Sequence, residues 1–114
     1  MSATAQGIAG AYGAEIEFKY RRYVPVTVNH AQETDLALAA ARKLVGTASV
    51  NDKLDVIMGA EDFAYMLEAR PGAFIFIGNG PSAGVHHPAY DFNDEALPYG
   101  IGYWVSLVET VLAA

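Results

Sequence analysis

The residues best equipped for chemistry lie close together near the C-terminus. Between Gly84 and Asp94 stand His86, His87, Tyr90, Asp91, Asn93 and Asp94, groups that coordinate metals or move protons. They fall in residues 78–93, where Gly78, Gly80, Pro81, Gly84 and Pro88 rule out regular structure; glycine and proline at this density mark a loop. Loops held by a rigid scaffold carry a disproportionate share of function. The competing reading is a solvated or locally hydrogen-bonded loop, since surface histidines are common. Chemistry sets a minimum count. A catalytic zinc-type site takes about three protein ligands and an open position, and a two-metal site adds a bridging group. His30, His86 and His87 are the only histidines, and there is no cysteine. The context of His30, some way upstream, gives no reason to expect it on the same metal as the loop pair.

A second cluster, Gly59, Ala60, Glu61, Asp62 and Phe63, falls at a strand-to-helix turn. In an open α/β sheet such turns are where ligands sit. Glu61 and Asp62 would face the positive end of the helix; the plainer role is to satisfy that end, at about 0.3–1 kcal/mol each. Tyr20, Arg21, Arg22 and Tyr23 read as a strand end and its solvated flank. Nothing matches a phosphate loop, a nucleophile elbow or a Ser/His/Asp set.

These groups need elements to hold them. Residues 14–20 alternate, with Ile16, Phe18 and Tyr20 on one side and Glu15, Glu17 and Lys19 on the other, which predicts a strand with one buried face. Before it, residues 4–12 read as the end of a helix closed by Gly13. Residues 21–30, with Pro25 and several β-branched residues, should be a connecting segment that crosses between two parts. Residues 32–45 are rich in Ala and Leu, with Leu36, Ala40 and Leu44 stacked four apart and Gly46 just beyond, an amphipathic helix with a glycine stop. Residues 54–58 predict a short strand and 61–68 a short helix. Residues 73–77 are uninterruptedly apolar, the signature of a central strand covered on both faces. A final helix is expected to start with Asn93 as cap and Asp94 and Glu95 in its first turn, with Pro98 near enough to the start to be tolerated. The fold class implied is α/β, one half of a doubly wound sheet.

The chain has 114 residues, 53% of them hydrophobic and 18% charged, far from the composition of a disordered segment. A formal net charge of −6 with seven scattered Lys and Arg argues against nucleic acid as partner. No run approaches the roughly 18 apolar residues of a membrane span, and the first residues lack a signal-peptide pattern. A cytoplasmic protein is expected, and the lack of cysteine fits that compartment.

The string from Gly84 to Asp94 (GVHHPAYDFND), followed by Ala96-Leu97-Pro98 and Gly100, resembles the C-terminal motif of amidohydrolases related to hippurate hydrolase, N-acyl-amino-acid hydrolase and auxin-conjugate hydrolase. Met58 to Phe63 resembles that family's strand-end turn, and Tyr12-Gly13 through Val28-Asn29-His30 the last helix and strand of its inserted lid domain. The resemblance implies residues 1–30 as a remnant of the lid or dimerisation domain with the crossing segment, and 31–114 as the C-terminal part of a two-metal aminopeptidase-like catalytic domain. It also implies His86 as the last ligand of the metal centre, with His87 in the variable position before Pro88. Glu61, Asp62, His87 and Asn93 would then form the rim or support the ligand shell. Zinc, manganese, cobalt or nickel suits an imidazole donor.

The remaining family ligands, the water-activating glutamate and the oxyanion-binding histidine would lie on an N-terminal half. On that account this sequence contains no catalytic residue of its own and should not retain metal alone. Three readings follow. The first is a segment of an enzyme cleaving the amide bond of N-acyl amino acids, in which metals polarise the carbonyl and supply hydroxide. The second is a non-catalytic module that self-associates through an exposed strand edge. The third is a homo-oligomer pooling His30, His86 and His87 from each copy.

Overall fold

The computed structural model describes residues 1–112, and its regular structure is entirely helical. Four helices carry it: α1 (Ser2–Ala11), α2 (Ala31–Val45), α3 (Phe63–Ala69) and α4 (Leu97–Val111), with short 3-10 turns at Thr47–Ser49 and Asp94–Ala96. The half doubly wound sheet expected from the sequence is not formed. No strand occurs among the described residues, and the α/β assignment is corrected to a helical chain with long irregular connections. The reason is physical: a strand exists only through hydrogen bonds to a neighbour, and residues 14–20, 54–58 and 73–77 find no ladder partner. Val56 and Met58 are 90% and 98% exposed, so the apolar pattern read as a short strand at 54–58 is neither paired nor buried.

Where pairing is attempted, side chains stand in for a strand. The Asn29 amide accepts from the Phe74 N–H and donates to its carbonyl, both at 2.8 Å, the two-way exchange one residue of an antiparallel pair makes with another. Next to it the His30 N–H donates to the Gly72 carbonyl at 3.0 Å, and the Gly72 N–H donates to His30 Nδ1 at 3.2 Å. Thus the connecting segment docks on the start of the apolar run, and His30 is used there, structurally.

The core lies between α2 and α4. Small residues on α2, Ala37 and Ala40, are buried against Tyr103, with Ala41, Ala73 and Leu107 packed around them. Gly102 permits the close approach, because a Cβ there would come within 3.0 Å of Leu44 Cδ1. The buried Ser106 hydroxyl donates to the Ala40 carbonyl at 2.9 Å, which satisfies a polar group that would otherwise cost about 1–3 kcal/mol to bury. Lys43 pairs with Glu109 at 3.1 Å across the exposed edge. α2 ends where the sequence said, at Gly46 with φ 78°. α3 begins two residues later than expected, and packs Phe63 on Phe74 (centroids 5.5 Å apart), which meets Phe76 edge-on.

Burial is shallow. The radius of gyration is 20.7 Å, against about 13 Å for a compact domain of this length. The accessible surface is 9486 Å², and a compact chain of this mass would show about 6,000 Å². Roughly a third of the surface is therefore in excess of what a self-sufficient domain exposes. Among the described residues no helix is long and apolar enough to cross a membrane.

Candidate functional site

The histidine loop runs from the end of the apolar stretch to α4, and it is held at its two ends by one pair of side chains. Asn79 Nδ2 donates to the Asp91 carbonyl and to Ser82 Oγ, and its Oδ1 accepts from the Asn93 N–H, each at 2.8 Å. Asn93 in turn accepts from the Glu95 N–H at 3.0 Å, so it starts the 3-10 turn that leads into α4. The cap read from the sequence is confirmed, with the difference that Asp94–Ala96 is a 3-10 turn and Pro98 then lies in the first turn of the α-helix proper. Gly80 takes φ 77°, a left-handed conformation that favours glycine.

Inside the loop the two histidines are treated differently. The His87 N–H donates to the Gly84 carbonyl (3.1 Å), and its own carbonyl accepts from the Tyr90 N–H (2.9 Å). His87 Nδ1 accepts from the Ala89 N–H at 3.1 Å. A ring whose Nδ1 accepts a hydrogen bond carries its proton on Nε2, so in this state neither nitrogen of His87 offers a lone pair to a metal. His86 is exposed, and no hydrogen bond engages its ring among the described residues. It is also the one non-glycine residue there with positive φ, 69°, an uncommon conformation for a residue with a Cβ and one in which His is enriched. Such conformations cluster at ligand-binding and switch positions.

Glu61 is half-buried and turned back on its own helix: Oε1 accepts from the Phe63 N–H at 3.0 Å. This is the helix-end role weighed against a rim role above; Asp62, at the helix start, makes no side-chain capping bond. Among the described residues no three His, Cys, Asp or Glu side chains come together as a metal-holding group. The donors here therefore do not fit a complete metal centre, and His86 with Glu61 and Asp62 does not make one. Beside the loop, Ile77, Tyr90, Phe92, Leu97 and Trp104 line an open apolar depression of about 370 Å³.

The sequence reading missed Asn79, which organises the loop more than any residue it named. A signal was present in Gly78-Asn79-Gly80, a turn-forming triplet, but the partners at 91 and 93 are set by three-dimensional closure.

The turn at residues 58–63, the histidine loop and the closing helix follow one another in the order that the motif resemblance implies. Residues 3–110 match the family model Peptidase family M20/M25/M40, and the chain belongs to that family. It is 37% identical over 112 residues to N-acetylcysteine deacetylase of Bacillus subtilis (strain 168), covering 98% of this chain and 29% of that protein. N-acetyldiaminopimelate deacetylase of Streptococcus thermophilus (strain ATCC BAA-491 / LMD-9) is 32% identical over 100 residues, covering 85% of this chain and 26% of its own length. IAA-amino acid hydrolase ILR1-like 4 of Arabidopsis thaliana is 28% identical over 116 residues, covering 96% and 26%. The chain thus spans between a quarter and a third of the length of these curated relatives. No solved structure matches.

Proposed function

We propose that this chain contributes one metal-ligating histidine, His86, to an amide-hydrolysing centre of which the other donors lie outside this sequence, and that the substrates are N-acyl amino acids of the hippurate or N-acetyl type. The observation that carries the reading is the contrast between neighbours. His86 stands exposed with an unengaged ring on a closed loop, whereas His87 spends its Nδ1 on the Ala89 N–H. The names of the matched relatives, deacetylases and an amino acid hydrolase, support the reaction class. Residues 31–114 would form part of a catalytic domain and 1–30 part of a lid. Glu61 and Asn93 would act by holding α3 and the loop in place, and Asp62, exposed at the start of α3, is the better candidate for a rim group.

A graft tests this. Residues 3–110 replace the matching part of N-acetylcysteine deacetylase, and N-acetylcysteine hydrolysis and bound metal are measured with His86→Ala and His87→Ala. The expected result is an active graft in which His86→Ala lowers turnover and metal content by about a hundredfold or more, as loss of a direct ligand does, with His87→Ala within about tenfold. An active graft indifferent to His86→Ala would refute the assignment.

A further inference from the structure

We infer that Asn79 is a positioning residue for His86: paired with Asn93, it closes residues 80–92 into a self-contained loop whose shape does not depend on a neighbouring strand. The relevance to chemistry rests on the reading of His86 above; the closure itself does not. Residues 84–92 are exposed, with only Tyr90 and Phe92 gaining partial apolar cover beside Ile77 and Trp104, so the order of the histidine segment rests mainly on hydrogen bonds. Asn79 is chemically suited to supply these. Its amide donates to the Asp91 carbonyl and accepts from the Asn93 N–H, both at 2.8 Å, so it grips the backbone on either side of Phe92. One residue of a parallel strand bonds to its neighbour in the same way, through the residues flanking the one it faces. Aspartate in this place would keep the acceptor and lose the donor, and alanine would lose both. Gly80 completes the closure: with φ 77° it turns the chain beneath Asn93, whose Nδ2 lies 3.5 Å from where a Gly80 Cβ would be. A loop with its ends tied and its interior bonded to itself is a compact unit of the Ω type. The same closure places His87, bonded to Gly84, Ala89 and Tyr90, next to the free His86. Asn79 thereby sets which of two adjacent histidines is available.

The test uses the full 114-residue chain and nuclear magnetic resonance. Amide exchange is followed along residues 79–95, and the ring nitrogens of the histidines are followed on addition of zinc, for the unchanged chain and for Asn79→Ala and Asn79→Asp. In the unchanged chain the Asn93 amide should exchange slowly and zinc should shift the His86 ring before the His87 ring. Asn79→Ala should speed Asn93 exchange by about tenfold or more, the scale of local opening when its bonds are lost, and let His87 respond to zinc alongside His86. Asn79→Asp, which keeps the acceptor, should restore slow exchange at Asn93. The α2 and α4 amides should stay protected in all three, which separates loop opening from unfolding. Unchanged exchange and an unchanged His86 preference in Asn79→Ala would overturn the closure. Slow exchange lost as described, but with no zinc response at His86 in the unchanged chain, would uphold the closure and count against the ligand role.

Discussion

Residues 79–93 and residues 50–60 are both irregular and both largely exposed, yet they are held very differently. The first is tied by the Asn79 and Asn93 side chains and by bonds around His87. In the second, beyond a bond from the Lys53 N–H to Asn51 Oδ1 and the Arg42–Asp52 ion pair at 2.7 Å, residues 54–58 are exposed with nothing covering Val56 or Met58. A segment can be ordered by its own polar groups when they are placed to grip backbone, but an apolar strand cannot, because its stabilisation comes from burial and from a ladder that another chain segment must supply. The site loop is self-contained in this chain, and the elements around it are built to be covered.

The largest effect expected from this contrast is self-association. A surface excess of roughly 3,500 Å² is the size of an obligate interface, so sedimentation at micromolar concentration should show dimers or larger species. The double change Val56→Lys with Met58→Lys should shift the balance toward monomer while leaving helix content unchanged. A monomer in the unchanged chain would break the comparison, since the exposed segments would then need no cover. Next in size, Ser106→Ala removes the one buried polar link between α2 and α4 among the described residues. It should cost about 1 kcal/mol in urea unfolding, with loop exchange at Asn93 unaltered.

The smallest effect is on pH dependence. Desolvation by burial raises the Tyr103 phenol above the usual tyrosine value of 10.0. Below that value both folded and unfolded chains carry a neutral phenol, so its contribution is fully present. Above it the unfolded chain ionises first and stability falls as pH rises. Tyr103→Phe should flatten that alkaline loss and leave stability near pH 7 almost unchanged; an identical alkaline limb in the variant would show that Tyr103 is not ionising out of the core.

What the sequence disclosed follows the same division. α2 and α4 were legible as helices because helices bond internally: the repeat Leu36, Ala40, Leu44 and the stop at Gly46 are local, and so is the Asn93 cap. α1 agrees in the same way, with its close at Tyr12 and Gly13. The packed face of α4 was not legible: the apolar repeat expected there, Leu97, Ile101, Trp104, Val105, Val108 and Leu112, is exposed, and Tyr103, Ser106 and Leu107 turn to the core instead. The strands were legible only as patterns. Alternation in residues 14–20 and the apolar run 73–77 are strand patterns, but a strand also needs a ladder partner, and among the described residues neither segment has one. In the site, His86 was singled out over His87 by motif resemblance, and the geometry adds an independent distinction between the two rings. Glu61 was assigned a rim role or a helix-end role, and the bond to the Phe63 N–H favours the latter. Asn79 escaped because its importance lies in where the chain returns at 91 and 93, and no local spacing encodes that.

The central claim is that His86 is one corner of a metal centre completed by groups outside this sequence. It is tested most directly by measuring bound zinc, manganese, cobalt and nickel on the purified chain and on His86→Ala by mass spectrometry, with hippurate hydrolysis assayed in the same samples. The account predicts far less than one equivalent of metal and no turnover for the chain alone, because a single imidazole cannot replace the three or more ligands a catalytic ion requires. One equivalent of metal in the unchanged chain, lost in His86→Ala and accompanied by turnover, would contradict it and point to a centre pooled from His30, His86 and His87 of several copies.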